Sequence, residues 1–266
     1  MDTGIENPFA SSQYGELVGA PGPILLLGAP ASGKGTQAKE LKKIWNIPQV
    51  STGDILRSNV ALGTDSGLAA QTLMERGELV PDDLIEEMVA RRLGKKDTSN
   101  GYILDGFPRT RLQAEWLDGF LAGQSAGKET GRCCPLVAIS IHMDYNRLLR
   151  RVTGRRNCPV CHRIYNVYGL PPKVDGLCDV DGERLFTRSD DTVEAFENRM
   201  RNYAESTEPV IEHYRTKGCF AEIDGGRSVE QITREIVETV NNMRRCCAIY
   251  APEAASVTSA SCTSGD

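Results

Sequence analysis

The sequence contains no long hydrophobic segment. No apolar run approaches the ~20 residues that a membrane-spanning helix requires, so we expect no membrane span. The amino-terminal stretch MDTGIENPFASSQYGELVG is acidic and lacks an apolar core, which argues against a signal peptide. We therefore expect a cytoplasmic protein. Its 40% hydrophobic and 25% charged residues are typical of a globular chain with an ordinary core.

The chain also lacks an excess of positive charge. Its 31 Lys and Arg residues face 36 Asp and Glu residues, which gives a net charge of −5. A protein that grips long nucleic acid by its backbone usually carries a basic excess, so we expect no nucleic-acid partner. A local basic pocket for a small anion stays compatible with this balance.

Histidine is scarce, and cysteine is unevenly placed. The three histidines, His142, His162 and His213, are scattered, and we expect structural or surface roles for them. The nine cysteines include adjacent pairs at 133–134 and 246–247, a pattern that does not suggest a disulfide framework. Together with the missing export signal, this favours a reducing compartment.

Short apolar segments alternate with amphipathic ones along the middle of the chain. The apolar runs that predict buried strands are 23–28, 47–51, 101–105, 135–143 and 219–224. Helical spacing is found in 34–45 (Ala38, Leu41, Trp45), in 81–93, and in 228–243 (Val229, Ile232, Ile236, Val240, Met243). This alternation predicts an α/β fold with a parallel sheet covered by helices on both faces. Composition predicts a flexible head over 1–21 and a disordered tail over 246–266.

The stretch GAPASGKGT, residues 28–36, directly follows the first predicted strand and opens a predicted helix. Gly28, Gly33 and Lys34 satisfy the pattern G-x-x-x-x-G-K, with Gly35 where Ser or Thr is usual and Thr36 after it. Glycines let successive backbone N–H groups point inward as an anion nest, and the helix adds its positive dipole end. A plain glycine-rich turn is the alternative, but the strand before and the helix after favour a phosphate-binding loop.

Four stretches in this order resemble the motifs of the adenylate kinase family. They are GAPASGKGTQ (28–37), STGDILR (51–57), DGFPRT (105–110) with Gln113, and the pair TGRR (153–156) and TRSDD (187–191). The resemblance spans about residues 22–244. It implies a P-loop NTPase-type parallel sheet flanked by helices (core 22–50, 81–153 and 192–245), a small AMP-binding helical lobe (51–80) and a lid lobe (154–191).

The resemblance implies a monomeric enzyme that catalyses ATP + AMP ⇌ 2 ADP with Mg²⁺. The nucleophile is an oxygen of the AMP phosphate, so this reaction requires positioning and positive charge rather than a general base. Arginine suits the task because its fork binds phosphate oxygens and stays protonated. The implied catalytic residues are Lys34, Arg109, Arg155, Arg188 and Arg199.

The resemblance also assigns two nucleotide subsites. The implied ATP-binding residues are Gly28, Ala29, Pro30, Ala31, Ser32, Gly33, Lys34, Gly35, Thr36, Arg151, Arg155 and Arg227. The implied AMP-binding residues are Thr52, Arg57, Glu78, Leu79, Val80, Gly106, Arg109, Gln113, Arg188 and Arg199.

Three acidic residues lie next to these motifs. Asp105 ends a predicted strand, where an acid can hold Mg²⁺ through water; a turn-forming role before Gly106 is the alternative. Asp190 and Asp191 follow Arg188 and would orient the arginines or the lid hinge. An N-cap role is the alternative for Asp191, because a helical run follows it.

The stretches STGD and GELVP indicate which base is accepted. In the family, the monophosphate base rests against Thr52, Leu79 and Val80 and meets the amide of Gln113, whereas related UMP/CMP kinases usually carry Ala at the first position. We therefore expect AMP as the acceptor. A kinase of another nucleoside monophosphate on the same fold is the nearest alternative.

The lid segment contains a pattern typical of a zinc knuckle. Cys158-x-x-Cys161 is followed after sixteen residues by Cys178-x-x-Asp181, which matches the family members that carry a structural zinc in a long lid. The segment has few large apolar residues, so a metal would stabilise it. Two alternatives remain: the cysteines are simply small apolar residues, or the chain is a zinc-ribbon binding module with an inactive nucleotide loop.

Overall fold

The computed structural model describes residues 21–125 and 136–249. The strands in chain order are β1 Gly22–Leu27, β2 Gln49–Ser51, β3 Gly101–Asp105, β4 Val137–His142, β5 Arg155–Asn157, β6 Ile164–Asn166 and β7 Phe220–Asp224. The α-helices are α1 Lys34–Trp45, α2 Thr52–Ala61, α3 Asp65–Arg76, α4 Asp82–Leu93, α5 Arg111–Ser125, α6 Tyr145–Thr153, α7 Val193–Asn202, α8 Glu208–Thr216 and α9 Val229–Ile249. A 3-10 turn covers Lys96–Thr98, and a π-helical turn covers Tyr203–Thr207.

A five-stranded sheet forms the centre of the fold, in the order β2-β3-β1-β4-β7. All four strand pairs are parallel, as the alternation of strands and helices predicts. Each strand predicted from an apolar run is present, so the predicted fold class is confirmed.

Both faces of β1 are buried, which explains why its sequence is apolar without alternation. Ile24 and Leu26 pack in one core layer with residues of α1 and α9. Leu25 and Leu27 pack in the other layer, which contains residues of α4, α5 and α8. Because the strands are parallel, the loops after β1, β2 and β3 leave the sheet at the same edge, where ligands of such sheets bind.

Two lobes project from this edge. Residues 51–80 contain α2 and α3, which pack on each other. Residues 154–191 contain the antiparallel pair β5–β6 and a small core of Cys158, Tyr165 and Cys178. The exact limits of the predicted lobes stay predictions.

The last helix is longer than its sequence pattern predicts. It continues to Ile249, so the first four residues of the predicted tail are helical. Ile232, Ile236 and Val240 are buried, but Val229 in the first turn is 39% exposed. Three regions discussed above lie outside the described residues: the predicted head up to residue 20, the cysteine pair at 133–134 and the predicted tail from residue 250. No helix within 21–125 or 136–249 is long and apolar enough to cross a membrane.

Replacing Ile236 tests the packing of α9. Its side chain is fully buried between α9 and the sheet, so Ile236→Ala should lower the free energy of unfolding by about 2–5 kcal/mol. The control is Val229→Ala in the same helix, which should cost less than about 1 kcal/mol because Val229 is exposed. Urea denaturation measures both; equal losses would contradict the packing described.

Candidate active site

One large cleft opens at the carboxyl edge of the sheet, between the two lobes. Its volume is about 1320 Å³. Every residue that the sequence assigns to the two nucleotide subsites lines this cleft except Ala29, and Asp105 lines it as well. Ala29 is buried instead and packs with Leu148, Val152 and Phe196. The structure therefore brings motifs from across the chain into one place.

The loop after β1 has the curled backbone of an anion nest. Gly28 and Gly33 have φ values of 133° and 111°, and Ala31 lies in the left-handed region at 64°. A Cβ atom at Gly28 would lie 2.3 Å from the Ile141 carbonyl oxygen, so only glycine fits at that position. The amine of Lys34 donates to the carbonyl oxygens of Gly28 and Ala29, at 2.7 Å each. Burial lowers the pKa of Lys34 to about 8.

Asp105 lies at the end of β3 and faces this loop. Its carboxylate accepts a hydrogen bond of 3.0 Å from Gln49 Nε2, and burial raises its pKa while the charge of Lys34 opposes the shift. A Cβ atom at Gly35 would lie 3.3 Å from Asp105 Oδ2, so the glycine leaves room for the carboxylate. An oxygen donor at this point beside a phosphate loop fits Mg²⁺ bound through water.

Two acidic residues before α7 hold two of the predicted catalytic arginines. Asp191, whose side chain is fully buried, accepts from Arg155 Nε at 2.8 Å and also from Arg155 Nη2. Asp190 pairs with Arg199 Nη2. The expectation that these acids orient arginines is confirmed. The alternative N-cap role of Asp191 is wrong, because Thr192 caps α7 by accepting from the backbone N–H of Ala195.

Three further arginines, Arg57, Arg109 and Arg188, lie close to one another in the cleft. Arg57 donates to Asp54 Oδ1 at 2.6 Å, and Arg109 Nε donates to the Gly106 carbonyl at 2.9 Å. Burial, followed by the repulsion from Arg199, lowers the pKa of Arg109. Burial, Arg57 and Arg155 lower the pKa of Arg188 to about 10. This much positive charge in one cleft favours a polyanionic ligand.

Thr52 and Gln113 lie at the base of the predicted AMP subsite, and both are almost fully buried. Thr52 Oγ1 donates to the Gly106 carbonyl at 2.9 Å. Gln113 Oε1 accepts from the Arg109 N–H at 2.7 Å, and its Nε2 donates to Asp82 Oδ1 at 2.6 Å. These bonds fix the orientation of the amide, and each amide atom keeps a second site for a base edge.

Arg151 and Arg227 line the other end of the cleft. Arg151 donates to the Ser32 carbonyl at 3.1 Å and to the Gly225 carbonyl at 3.3 Å, so it lies along the phosphate loop. Arg227 pairs with Glu235 at 2.7 Å. The lid contacts the core across this end of the cleft: Lys39 of α1 donates to the carbonyl of His162, which lies at the tip of the lid between β5 and β6, at 2.7 Å.

Sequence reasoning missed three residues that support the site. Gln49 orients Asp105, Asp54 orients Arg57, and Thr207 Oγ1 donates to the Arg109 carbonyl at 2.9 Å. Only Asp54 has a local signal, its i,i+3 spacing from Arg57. The roles of Gln49 and Thr207 depend on residues that are distant in the sequence.

The lid brings the four predicted metal ligands together. One donor atom each from Cys158, Cys161, Cys178 and Asp181 lies within 4.8 Å of the others. Cys161 Sγ and Cys178 Sγ are 3.5 Å apart, and Cys158 Sγ lies 3.2 Å from Asp181 Oδ2. Ligands at the usual zinc distances in a tetrahedron are separated by roughly 3.5–3.8 Å. The cluster therefore fits a four-coordinate metal with no open position.

The surroundings of the cluster stabilise thiolates. Backbone N–H groups of Val160 and Cys161 donate to Cys158 Sγ, and that of Val180 donates to Cys178 Sγ, each at 3.4 Å. Tyr165 OH lies 3.4 Å from Cys178 Sγ and accepts from the Asp179 N–H at 2.7 Å. Such second-layer donors are usual around metal-bound sulfur.

The parallel sheet, the anion nest with Lys34 and the arginine-lined cleft define a P-loop nucleotide phosphotransferase. The comparisons with known proteins make this more specific. The family model described as adenylate kinase matches residues 26–219. The chain belongs to the adenylate kinase family.

Several curated relatives are similar over most of their length. The adenylate kinase of Thermodesulfovibrio yellowstonii is 44% identical over 213 residues, which are 80% of this chain and 96% of that protein. That of Thermotoga maritima is 44% identical over 218 residues, or 82% and 96% of the two chains. That of Staphylococcus epidermidis is 39% identical over 220 residues, or 83% and 99%.

Replacing Cys158 tests the metal cluster. Cys158→Ser should reduce bound zinc well below one per chain and lower Tm by at least about 5 °C, because the lid has little core of its own. The matched control, Cys219→Ser, lies outside the cluster and should keep the zinc. Metal analysis and calorimetry measure both. Full zinc content in Cys158→Ser would contradict the ligand set.

Proton uptake tests the charge state of Lys34. Its amine loses the proton as pH rises through about 8, and bound phosphates should restore the proton. ATP binding at pH 8 should therefore take up about half a proton at Lys34. Titration calorimetry in two buffers of different ionisation enthalpy measures the uptake. Lys34→Met should lose it, whereas Lys42→Met on the exposed side of α1 should keep it; equal uptake in both variants would contradict the assignment.

Proposed function

We propose that this chain, as a member of the adenylate kinase family, transfers a phosphoryl group reversibly between ATP and AMP through the residues that line its cleft. The observation that carries this proposal is the convergence of Lys34, Arg57, Arg109, Arg155, Arg188 and Arg199 on one space. Two nucleotides that meet end to end bring several negative phosphates together, and only a strongly cationic cleft stabilises that arrangement.

The two nucleotides occupy opposite ends of the cleft. The nest at 28–36 and Arg151 hold the ATP phosphates. The backbone N–H groups of the nest suit phosphate oxygens, and the guanidinium of Arg151 lies against the same loop. Arg57 and Arg109 hold the AMP phosphate at the other end. An oxygen of that phosphate attacks in line, so the chain needs no general base.

Lys34, Arg155, Arg188 and Arg199 stabilise the charge on the transferring group. Asp191 and Asp190 fix Arg155 and Arg199 before substrate arrives, so little reorganisation remains for the reaction itself. Mg²⁺, when bound with ATP, supplies charge neutralisation at the phosphates. Asp105 is the residue that would hold it through water.

The lid keeps water away from the reacting phosphate. Lid residues such as Arg155, Asn157 and Tyr165 form one wall of the cleft, and the lid tip contacts α1 through Lys39. Water competes with AMP as the acceptor of the phosphoryl group. A closed lid that excludes water therefore favours transfer to AMP over hydrolysis of ATP. We assign zinc as the ion of the cysteine cluster, in a structural role. A monomeric state and a cytoplasmic location stay predictions.

AMP is the acceptor that the base pocket fits best. Thr52, Leu79 and Val80 line the pocket, and the fixed amide of Gln113 presents one donor and one acceptor to a base edge. A wrong base leaves such buried polar groups unpaired, which gives strong discrimination.

The test is product formation from Mg-ATP with AMP, UMP, CMP or GMP at equal concentration. AMP should react at least about 100-fold faster than the others. Thr52→Ala should narrow the ratio of the AMP rate to the CMP rate, because it removes the hydroxyl at the base pocket. Equal or higher rates with UMP or CMP would overturn the acceptor assignment. No turnover of any pair, with zinc still bound, would favour the binding-module alternative.

A further inference from the structure

Two side-chain amides of α7 reach the end of the AMP lobe. Asn198 Nδ2 donates to the Arg76 carbonyl at 3.0 Å, and Asn202 Nδ2 donates to the Gly77 carbonyl at 2.9 Å. The acceptors are separated from the donors by 122 and 125 residues in the sequence. These are tertiary contacts between the core and a lobe.

The acceptors belong to the carboxyl end of α3, where carbonyl groups lack partners within the helix. Gly77 ends α3 with a φ of 73°, and the N–H groups of Gly77 and Glu78 bond back to Met74 and Leu73. A Cβ atom at Gly77 would lie 2.4 Å from the Ala195 carbonyl oxygen. The backbone of α7 thus lies directly against this turn, and the two amides complete its hydrogen bonding.

The turn leads straight into the proposed AMP pocket. Glu78, Leu79 and Val80 follow Gly77, and all three line the cleft. On the other side of the contact, α7 carries Arg199 between the two asparagines, and Arg199 lines the same cleft. The amides therefore connect the helix that holds a phosphate-binding arginine to the segment that holds the base.

We propose that Asn198 and Asn202 are positioning residues for AMP: they fix the 78–80 segment at the distance from Arg199 that one AMP molecule spans. This inference rests on the proposed function. Asn202 also lines the cleft, whereas Asn198 is not among the lining residues, and the Nδ2 of each donates to the backbone of Gly77 or Arg76. Each amide therefore acts on the AMP segment through that backbone. Loss of either bond leaves the segment free to shift, and small displacements of a positioning element reduce affinity and rate strongly.

The test is steady-state kinetics of Asn202→Asp. Aspartate keeps the shape of asparagine but places an acceptor opposite the Gly77 carbonyl, so the bond is lost and replaced by repulsion. The KM for AMP should rise about tenfold, whereas the KM for ATP should change less than about twofold, since the phosphate loop is untouched. Titration of AMP alone should show the same loss of affinity.

Further variants separate positioning from folding. Asn198→Asp should act in the same direction. Asn202→Ala removes the donor without adding charge and should also raise the KM for AMP while Tm stays within a few degrees. Glu197→Gln, an exposed neighbour on α7, should match the wild type in every parameter.

The outcomes distinguish this inference from the function on which it rests. An inactive wild type would overturn the proposed function and the inference with it. An active wild type whose Asn202 variants raise the KM for AMP and ATP equally, or lower only Tm, would overturn the positioning role alone.

Discussion

The structure depends on holding many cations in one cleft against their mutual repulsion. Buried acids next to the arginines make this arrangement possible. Asp191 is buried with Arg155: burial lowers the pKa of that arginine, but the bonds to Asp191 outweigh it and raise the pKa overall. Asp190 is also buried, yet the charge of Arg199 lowers its pKa. A buried ion pair contributes little net stability but is costly to break, so these pairs set geometry more than they stabilise the fold.

The acids do not offset all of the repulsion between the cations of the cleft. An anionic ligand that relieves the remaining repulsion gains binding free energy from it. Arg109 and Arg188 have lowered pKa values because the protein atoms of the cleft displace their water and because other arginines lie close by. The amine of Lys34 donates to two backbone carbonyl groups instead of to water, and burial lowers the pKa of Lys34 as well. Each group is less stable as a cation than it would be in solvent, and phosphate oxygens reverse this. The fold therefore places its least stable cations at the positions where negative phosphate oxygens would stabilise them.

The sequence predicted the parts of this arrangement that depend on local order. Every strand of the sheet follows from a short apolar run, and the phosphate loop follows from glycine spacing between a strand and a helix. The acids before α7 show where local reasoning ends: Asp191 suits an N-cap as well as an ion pair, and only the structure shows that Thr192 caps the helix. Gln49, Thr207 and Asn202 act on partners 56, 98 and 125 residues away, so no local pattern reveals them.

In the lid, the single strand β5 connects the cluster of candidate metal ligands to Arg155 of the cleft. β5 begins at Arg155 and ends at Asn157, and Cys158 follows it directly. The lid core contains only Cys158, Tyr165 and Cys178, with Leu185 against them, while Val160, Tyr168, Leu170 and Phe186 are exposed. Apolar burial on this scale cannot fix a strand against solvent, whereas four ligands on one ion can. A metal held by these four residues would therefore fix where β5 lies, and β5 carries the Arg155 side chain that pairs with Asp191.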